Sequence, residues 1–139
     1  MHLIEINGDL FTSKTNLAHC VSSDFVMGAG IAKIFKEKYG SAQKLRSQNK
    51  NVGDCAFIEY ENRKIYYLVT KKNYYDKPTY TSMRTSLISM RKLIKDHQVS
   101  EIAIPLIGCG LDRLNWGKVK KIIEDVFQNT NLKIIVFIK

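Results

Sequence analysis

Lys71 closes the apolar run Tyr66-Tyr67-Leu68-Val69-Thr70 and is followed at once by Lys72. Burial at the end of such a run and a like charge next door both disfavour an ammonium, and a neutral amine is a nucleophile toward a carbonyl-like carbon. A solvated basic pair at a strand end is the plainer reading of the same residues. Asp112 lies just after Gly108-Cys109-Gly110. A carboxylate there could act as general acid or base on a bound ligand, or it could simply shape a turn or cap a helix. Asp9, after Asn7-Gly8, suits either a turn or a hydrogen bond from an exocyclic amine.

Two glycine loops frame these residues, Gly28-Ala29-Gly30 before a helical pattern and Gly108-Cys109-Gly110 after an apolar run. Glycine lets backbone N–H groups approach an anion closely, and a following helix adds the positive end of its dipole. Two such loops suit two phosphates, although each alone also reads as a tight turn. Neither is followed by Gly-Lys-Ser/Thr, and Lys33 and Arg113 stand where GxGxxG would place its third glycine, so nucleoside-triphosphatase and dinucleotide-fold readings are weak. His19 and Cys20 are adjacent, and neighbours on a strand point to opposite faces, which argues against a thiol and base pair. Cys109 reads either as a reactive thiol or as a small side chain that fits a tight loop. Tyr66, Tyr67, Phe57, Trp116 and Phe127 read as core, whereas Tyr74, Tyr75 and Tyr80 lie in a polar stretch that could rim a ligand.

The elements that must position these groups are legible from periodicity. Short strands are predicted over 2–6 and 17–21, with turn chemistry at Asn7-Gly8-Asp9. Ile31, Ile34, Phe35 and Tyr39 follow helical spacing from Gly30 to Gly40. Cys55 to Tyr60 and Ile65 to Val69 read as a hairpin turning through Glu61-Asn62-Arg63-Lys64. Met83, Leu87, Met90 and Ile94 mark one face of a long helix, and Ile102 to Leu106 a buried strand. Asn115 can cap a helix whose apolar face is Trp116, Val119, Ile122, Ile123 and Val126, before a last strand from Ile134 to Ile138. About six strands alternating with three or four helices make one α/β layer domain over 1–139.

Lysine and arginine total 22 against 13 acids, a formal charge of +9. The excess falls between Lys33 and Lys50, where Glu37 is the one acid, and between Arg63 and Lys92, where Asp76 is. Such a balance suits an anionic partner, yet the basic residues are interleaved with apolar ones as on the solvated faces of folded elements. Cys20, Cys55 and Cys109 are widely spaced, so neither a disulfide framework nor a metal motif is readable, and no metal or cofactor is expected. The first residues start a strand pattern and lack signal-peptide regions, and no apolar run approaches the roughly 20 residues of a membrane span. An intracellular, cytoplasmic protein (nuclear if eukaryotic) without membrane contact is expected.

Six motifs in order along the chain resemble the macrodomain family, in its terminal ADP-ribose protein glycohydrolase branch. They are Asn7-Gly8-Asp9-Leu10-Phe11, Leu17-Ala18-His19-Cys20-Val21-Ser22, Met27-Gly28-Ala29-Gly30-Ile31-Ala32, Tyr66-Tyr67-Leu68-Val69-Thr70-Lys71-Lys72, Lys77-Pro78-Thr79-Tyr80 and Pro105 to Leu114. The pairing of Thr70-Lys71-Lys72 with Gly110-Leu111-Asp112-Arg113 is the most specific part. The resemblance implies a three-layer α/β/α fold with a mixed six-stranded sheet and ADP-ribose in a cleft at strand ends. It implies that Asp9, beside Leu10, binds the adenine amine and that Phe137 lies against the adenine ring. It places His19, Ser22, Gly28, Ala29, Gly30, Ile31, Gly108, Cys109, Gly110 and Leu111 around the rest of the ligand. It also implies that Lys71 attacks the anomeric carbon while Asp112 assists proton transfer.

Two departures bear on mechanism. Ala18-His19-Cys20-Val21-Ser22 stands where many macrodomain hydrolases have an Asn-Ala-Ala-Asn type motif, which favours the lysine route. Phe137 keeps a ring face where tyrosine is common, without the hydroxyl. The implied activity is removal of ADP-ribose from acidic side chains of proteins, extending to ADP-ribosylated DNA bases, in a monomer and in the setting of DNA damage. The alternatives are a module that binds ADP-ribose without turnover and a nucleic-acid-binding domain driven by charge.

Overall fold

β-branched and aromatic runs at the predicted places form six strands in a computed structural model that describes residues 1–139. These are β1 (His2–Asn7), β2 (Asn16–Ser22), β3 (Cys55–Tyr60), β4 (Arg63–Lys71), β5 (Glu101–Ile104) and β6 (Lys133–Ile138). The helices are α1 (Gly30–Tyr39), α2 (Ala42–Arg46), α3 (Tyr80–Asp96) and α4 (Trp116–Phe127), with a 3-10 turn at Leu10–Thr12. The sheet runs β1-β6-β5-β2-β4-β3. All neighbours are parallel except β3, which pairs antiparallel with β4, so the sheet is mixed as expected.

Helices cover both faces of the sheet, as parallel strands require. On one face, Met83, Leu87, Met90 and Ile94 of α3 and Val119, Ile122, Ile123 and Val126 of α4 pack on Ala18, Tyr66, Leu68 and Ile104. On the other, Phe35 and Tyr39 of α1 and Leu45 of α2 pack on Leu17, Val21, Tyr67 and Val69. Thr79 starts α3 with a capping box, its hydroxyl accepting the Ser82 N–H at 3.0 Å while the Ser82 hydroxyl accepts the Thr79 N–H at 3.0 Å. Asn115 caps α4 through the Lys118 N–H at 3.1 Å.

Several expected boundaries move. The hairpin needs only Glu61-Asn62, at φ +48° and +66°, so Arg63 and Lys64 extend β4. β5 stops at Ile104 because Pro105 has no N–H for the ladder. Trp116 is half-buried rather than core, its indole N–H donating to Glu5 at 2.8 Å. Phe57 is also half-buried, lying edge-on to His97 at 4.5 Å between centroids.

Candidate active site

β5 and β2 pair only through Asn16–Ile102 and Leu17–Ala103 and separate beyond. The connection from β5 leads to β6 on one side and that from β2 leads toward β4 and β3 on the other, so a crevice opens at their carboxyl ends. A cavity of about 1020 Å³ occupies it, fed by the loops after β1, β2, β4, β5 and β6. That is the upper range of a small-molecule site. All the residues that the family resemblance places in the site line it except His19.

Lys71 reaches the cavity through a break in the ladder. Val21 pairs with Val69, but Ser22 pairs with Lys71, leaving Thr70 as an extra residue. Such a bulge re-aims the side chain that follows it. Lys71 Nζ donates to Asp112 Oδ1 at 2.8 Å, with the two side chains 15% and 16% exposed. Lys72 is solvent-exposed, so the group set against Lys71 is a carboxylate and not a second cation. An amine that acts as a nucleophile must release a proton, and Asp112 is within reach to receive it.

The two glycine loops meet across the cavity. A Cβ on Gly30, which has φ +58°, would lie 3.1 Å from Leu111 Cδ1. α1 begins there with no side-chain cap on its first amides. Gly108 and Gly110 differ in what requires them. A Cβ on Gly108 would come within 2.7 Å of Met83 Cε, whereas one on Gly110 meets nothing within 4 Å. Gly108 is held by its φ of +72° together with its close neighbours, whereas Gly110 lines the cavity and faces open space.

Asp9 takes the turn role, capping the 3-10 turn by accepting the Phe11 N–H at 3.0 Å, and it also lines the cavity, as do Phe137 and Lys139. Phe137 lies 3.7 Å from the Cβ position of Gly8. Cys20 and Cys109 both line the cavity. Burial pushes the Cys109 thiol up to about 11 and Cys20 higher still, with Asp112 and Cys109 adding to the latter, so neither is a thiolate nucleophile at neutral pH. Tyr74 and Tyr75 rim the cavity. Tyr80 lies outside it, its hydroxyl accepting the Asn115 N–H at 3.0 Å.

His19 corrects an expectation. It shares strand parity with Leu17 and Val21, so it is buried under α1 and stacked on Phe35 at 3.7 Å between centroids. Burial pulls its imidazole from 6.5 down to about 3, so it stays neutral in the fold. An unfolded chain takes up this proton below about pH 6.5, which withdraws about 1.4 kcal/mol of stability per pH unit as pH falls toward 3. Acid titration of a His19→Leu protein should show its unfolding midpoint at lower pH than the parent; coincident curves would contradict this reading.

Asp24 belongs to no motif legible in the sequence, yet it organises the loop after β2. Burial works against its charge, but the Ser22 hydroxyl, the Val26 and Tyr74 N–H groups and Arg46 together hold its carboxyl below the usual carboxylate range. Arg46 donates to the Asp24 and Phe25 carbonyls at 3.0 and 3.2 Å, and Lys36 to the Val26 carbonyl at 3.0 Å. Part of the basic excess thus staples a loop in which Phe25 and Met27 take φ +51° and +46°. Non-glycine residues hold such values only where their surroundings impose them.

The Macro domain family profile matches residues 18–123. The chain is a macrodomain. Over 134 residues the macrodomain is 47% identical to the human protein named ADP-ribose glycohydrolase OARD1, covering 95% of this chain and 88% of that one. The bovine protein of the same name is 46% identical over the same span. Among solved structures, the macrodomain of Thermus aquaticus DarG superposes with a TM-score of 0.87 at 23% identity, covering 97% of each chain. Thermosipho africanus DarTG in complex with ADP-ribose superposes at 0.86 with 18% identity, covering 99% of this macrodomain and 42% of that chain. At those identities the likeness is one of fold, and it agrees with the mixed sheet between helical layers seen here.

Proposed function

We propose that this macrodomain is an ADP-ribose glycohydrolase that releases ADP-ribose from modified acidic side chains of proteins, with Lys71 as nucleophile and Asp112 as proton carrier. The observation that carries the reading is the 2.8 Å contact between Lys71 Nζ and Asp112 Oδ1 on the cavity wall. A module that only holds ADP-ribose needs the glycine loops and the pocket behind Asp9, but it has no use for an amine and a carboxylate in proton-transfer contact. The name carried by the human and bovine relatives supports the same reaction. The cavity is lined from one chain, and the reading takes the monomer as the catalytic unit. The net charge of +9 supports polyanionic carriers, so the reading extends to ADP-ribosylated DNA.

The test is incubation with a mono-ADP-ribosylated protein, and separately with ADP-ribosylated DNA, followed by chromatography of the products. Free ADP-ribose in excess over enzyme is expected from the protein carrier. Stoichiometric binding without release would make this a binding module.

Gly110→Val tests the binding half of the reading. A Cβ at this cavity-lining position meets nothing within 4 Å, so the fold should survive while the branches fill space beside the loop. ADP-ribose affinity by calorimetry should fall at least 100-fold with an unchanged melting temperature. Near-parental affinity would remove this loop from the site.

A further inference from the structure

A second cation reaches the Asp112 loop from the segment that carries Lys71. Lys77 Nζ donates to the Leu111 carbonyl at 2.8 Å, and Leu111 is the residue directly before Asp112. We propose that Lys77 is a positioning residue: it fixes the backbone ahead of Asp112 and so holds the carboxylate against Lys71. The proposal rests on the Lys71 and Asp112 chemistry advanced above.

The loop has few other means of holding that geometry. Its backbone hydrogen bonds close on itself, with Cys109 N–H on Leu106, Arg113 N–H on Gly110 and Leu114 N–H on Gly108 at 3.1, 3.1 and 2.8 Å. Ile107 and Gly108 are buried, but Arg113 sits at φ +62° and Leu111 is 64% exposed, so packing restrains the tip that carries Asp112 weakly. The next tie to another element is the Asn115 N–H on the Tyr80 hydroxyl, at the start of α4. Between these points the Lys77 ammonium bridges the loop to the rest of the protein.

Lys77 is itself well anchored. Asn73 N–H donates to Asp76 Oδ2 at 2.9 Å and Asp76 N–H to the Asn73 carbonyl at 3.0 Å, which closes the turn before it. Pro78 restricts the Lys77 backbone, and Thr79 opens the capping box of α3. At the other end, the Ser23 hydroxyl holds the Lys72 carbonyl at 2.7 Å and Asp24 Oδ2 holds the Tyr74 N–H at 2.9 Å. Residues 71–79 thus form a strap fixed at both ends. From it, Lys71 grips the Asp112 side chain and Lys77 the backbone one residue earlier. Lys77 is exposed, so its contact adds little to global stability, and its effect is local. A displacement of about 1 Å at a catalytic group is sufficient to slow a reaction by as much as about 100-fold.

The experiment compares Lys77→Met and Lys77→Arg with the parent on a mono-ADP-ribosylated protein, recording kcat, KM, ADP-ribose affinity and melting temperature. Lys77 also lines the cavity, so Lys77→Met should lower kcat about tenfold with melting temperature unchanged and with at most about a twofold change in KM and affinity. Lys77→Arg retains a donor and should recover most of the rate. In an Asp112→Asn background, Lys77→Met should add less than about twofold, because the group it positions is gone. Parental kcat in Lys77→Met, a rise in KM in place of the fall in kcat, or a full additional loss beside Asp112→Asn would overturn the proposal. Failure of the underlying chemistry reads differently, as Asp112→Asn turning over at the parental rate.

Discussion

Replacing Lys71 with arginine should leave ADP-ribose affinity near the parental value and lower turnover roughly 1000-fold or more. Arginine keeps a cation opposite Asp112 and can satisfy a carboxylate in a fork geometry, so the ion pair and its contribution to an anionic ligand survive. What it cannot supply is a neutral amine, because the guanidinium stays protonated. On the proposed reading, the neutral amine would attack C1 of the distal ribose while the bond from that carbon to the carrier's carboxylate oxygen breaks, and the carrier would leave as a carboxylate. One amine proton would then pass to Asp112, and as the bond from C1 to the ring oxygen breaks the second would go to that oxygen, leaving an imine between Lys71 and the ring-opened ribose. Water adds to the imine carbon, and the amine departs with a proton returned by Asp112, releasing free ADP-ribose. Borohydride during turnover should therefore fix an ADP-ribosyl adduct on Lys71, located by peptide mass spectrometry and missing in Lys71→Arg. A fully active Lys71→Arg enzyme would sink the covalent route and leave water activated by Asp112 in its place.

Asp112→Asn should slow turnover by about 100- to 10,000-fold, the usual contribution of a positioned proton-transfer group, while ADP-ribose still binds. The amide oxygen can still accept from the Lys71 ammonium, so the geometry at 2.8 Å is preserved while the proton acceptor is lost. Calorimetry for affinity and single-turnover kinetics for chemistry separate the two effects. Turnover within threefold of the parent would reduce Asp112 to a loop-forming residue.

The sheet and its long helices were legible because their residues repeat. Met83, Leu87, Met90 and Ile94 recur at helical spacing and all four are buried, and the β-prone run from Cys55 became a strand. α2 offers only Ala42 and Leu45 over five residues, too short for a period to register. The bulge at Thr70 has no signature in a single strand, because it exists only in the pairing of β4 with β2. Lys71 and Asp112 were each visible as candidates, but their contact spans 41 residues and depends on the sheet order. His19 was placed in the site by motif likeness, although its parity with buried Leu17 already pointed under α1. Lys77 was legible only as part of Lys77-Pro78-Thr79-Tyr80, since no property of a lone lysine announces a carbonyl in another loop.

The pairing of β1 with β6 has a kinetic meaning. Residues 2–7 align with residues 133–138, so the part of the cavity formed by Gly8, Asp9 and Phe137 is joined from segments at opposite ends of the chain. Closing so long a loop is entropically slow, and its contacts stabilise only once both segments are in place. During synthesis the lysine, the aspartate and both glycine loops emerge before Phe137, yet the end of the cavity beside Gly8 and Asp9 has no second wall until β6 docks. A ribosome-bound chain halted before that strand would hold ADP-ribose weakly, and ligand cannot template the early stages of its folding.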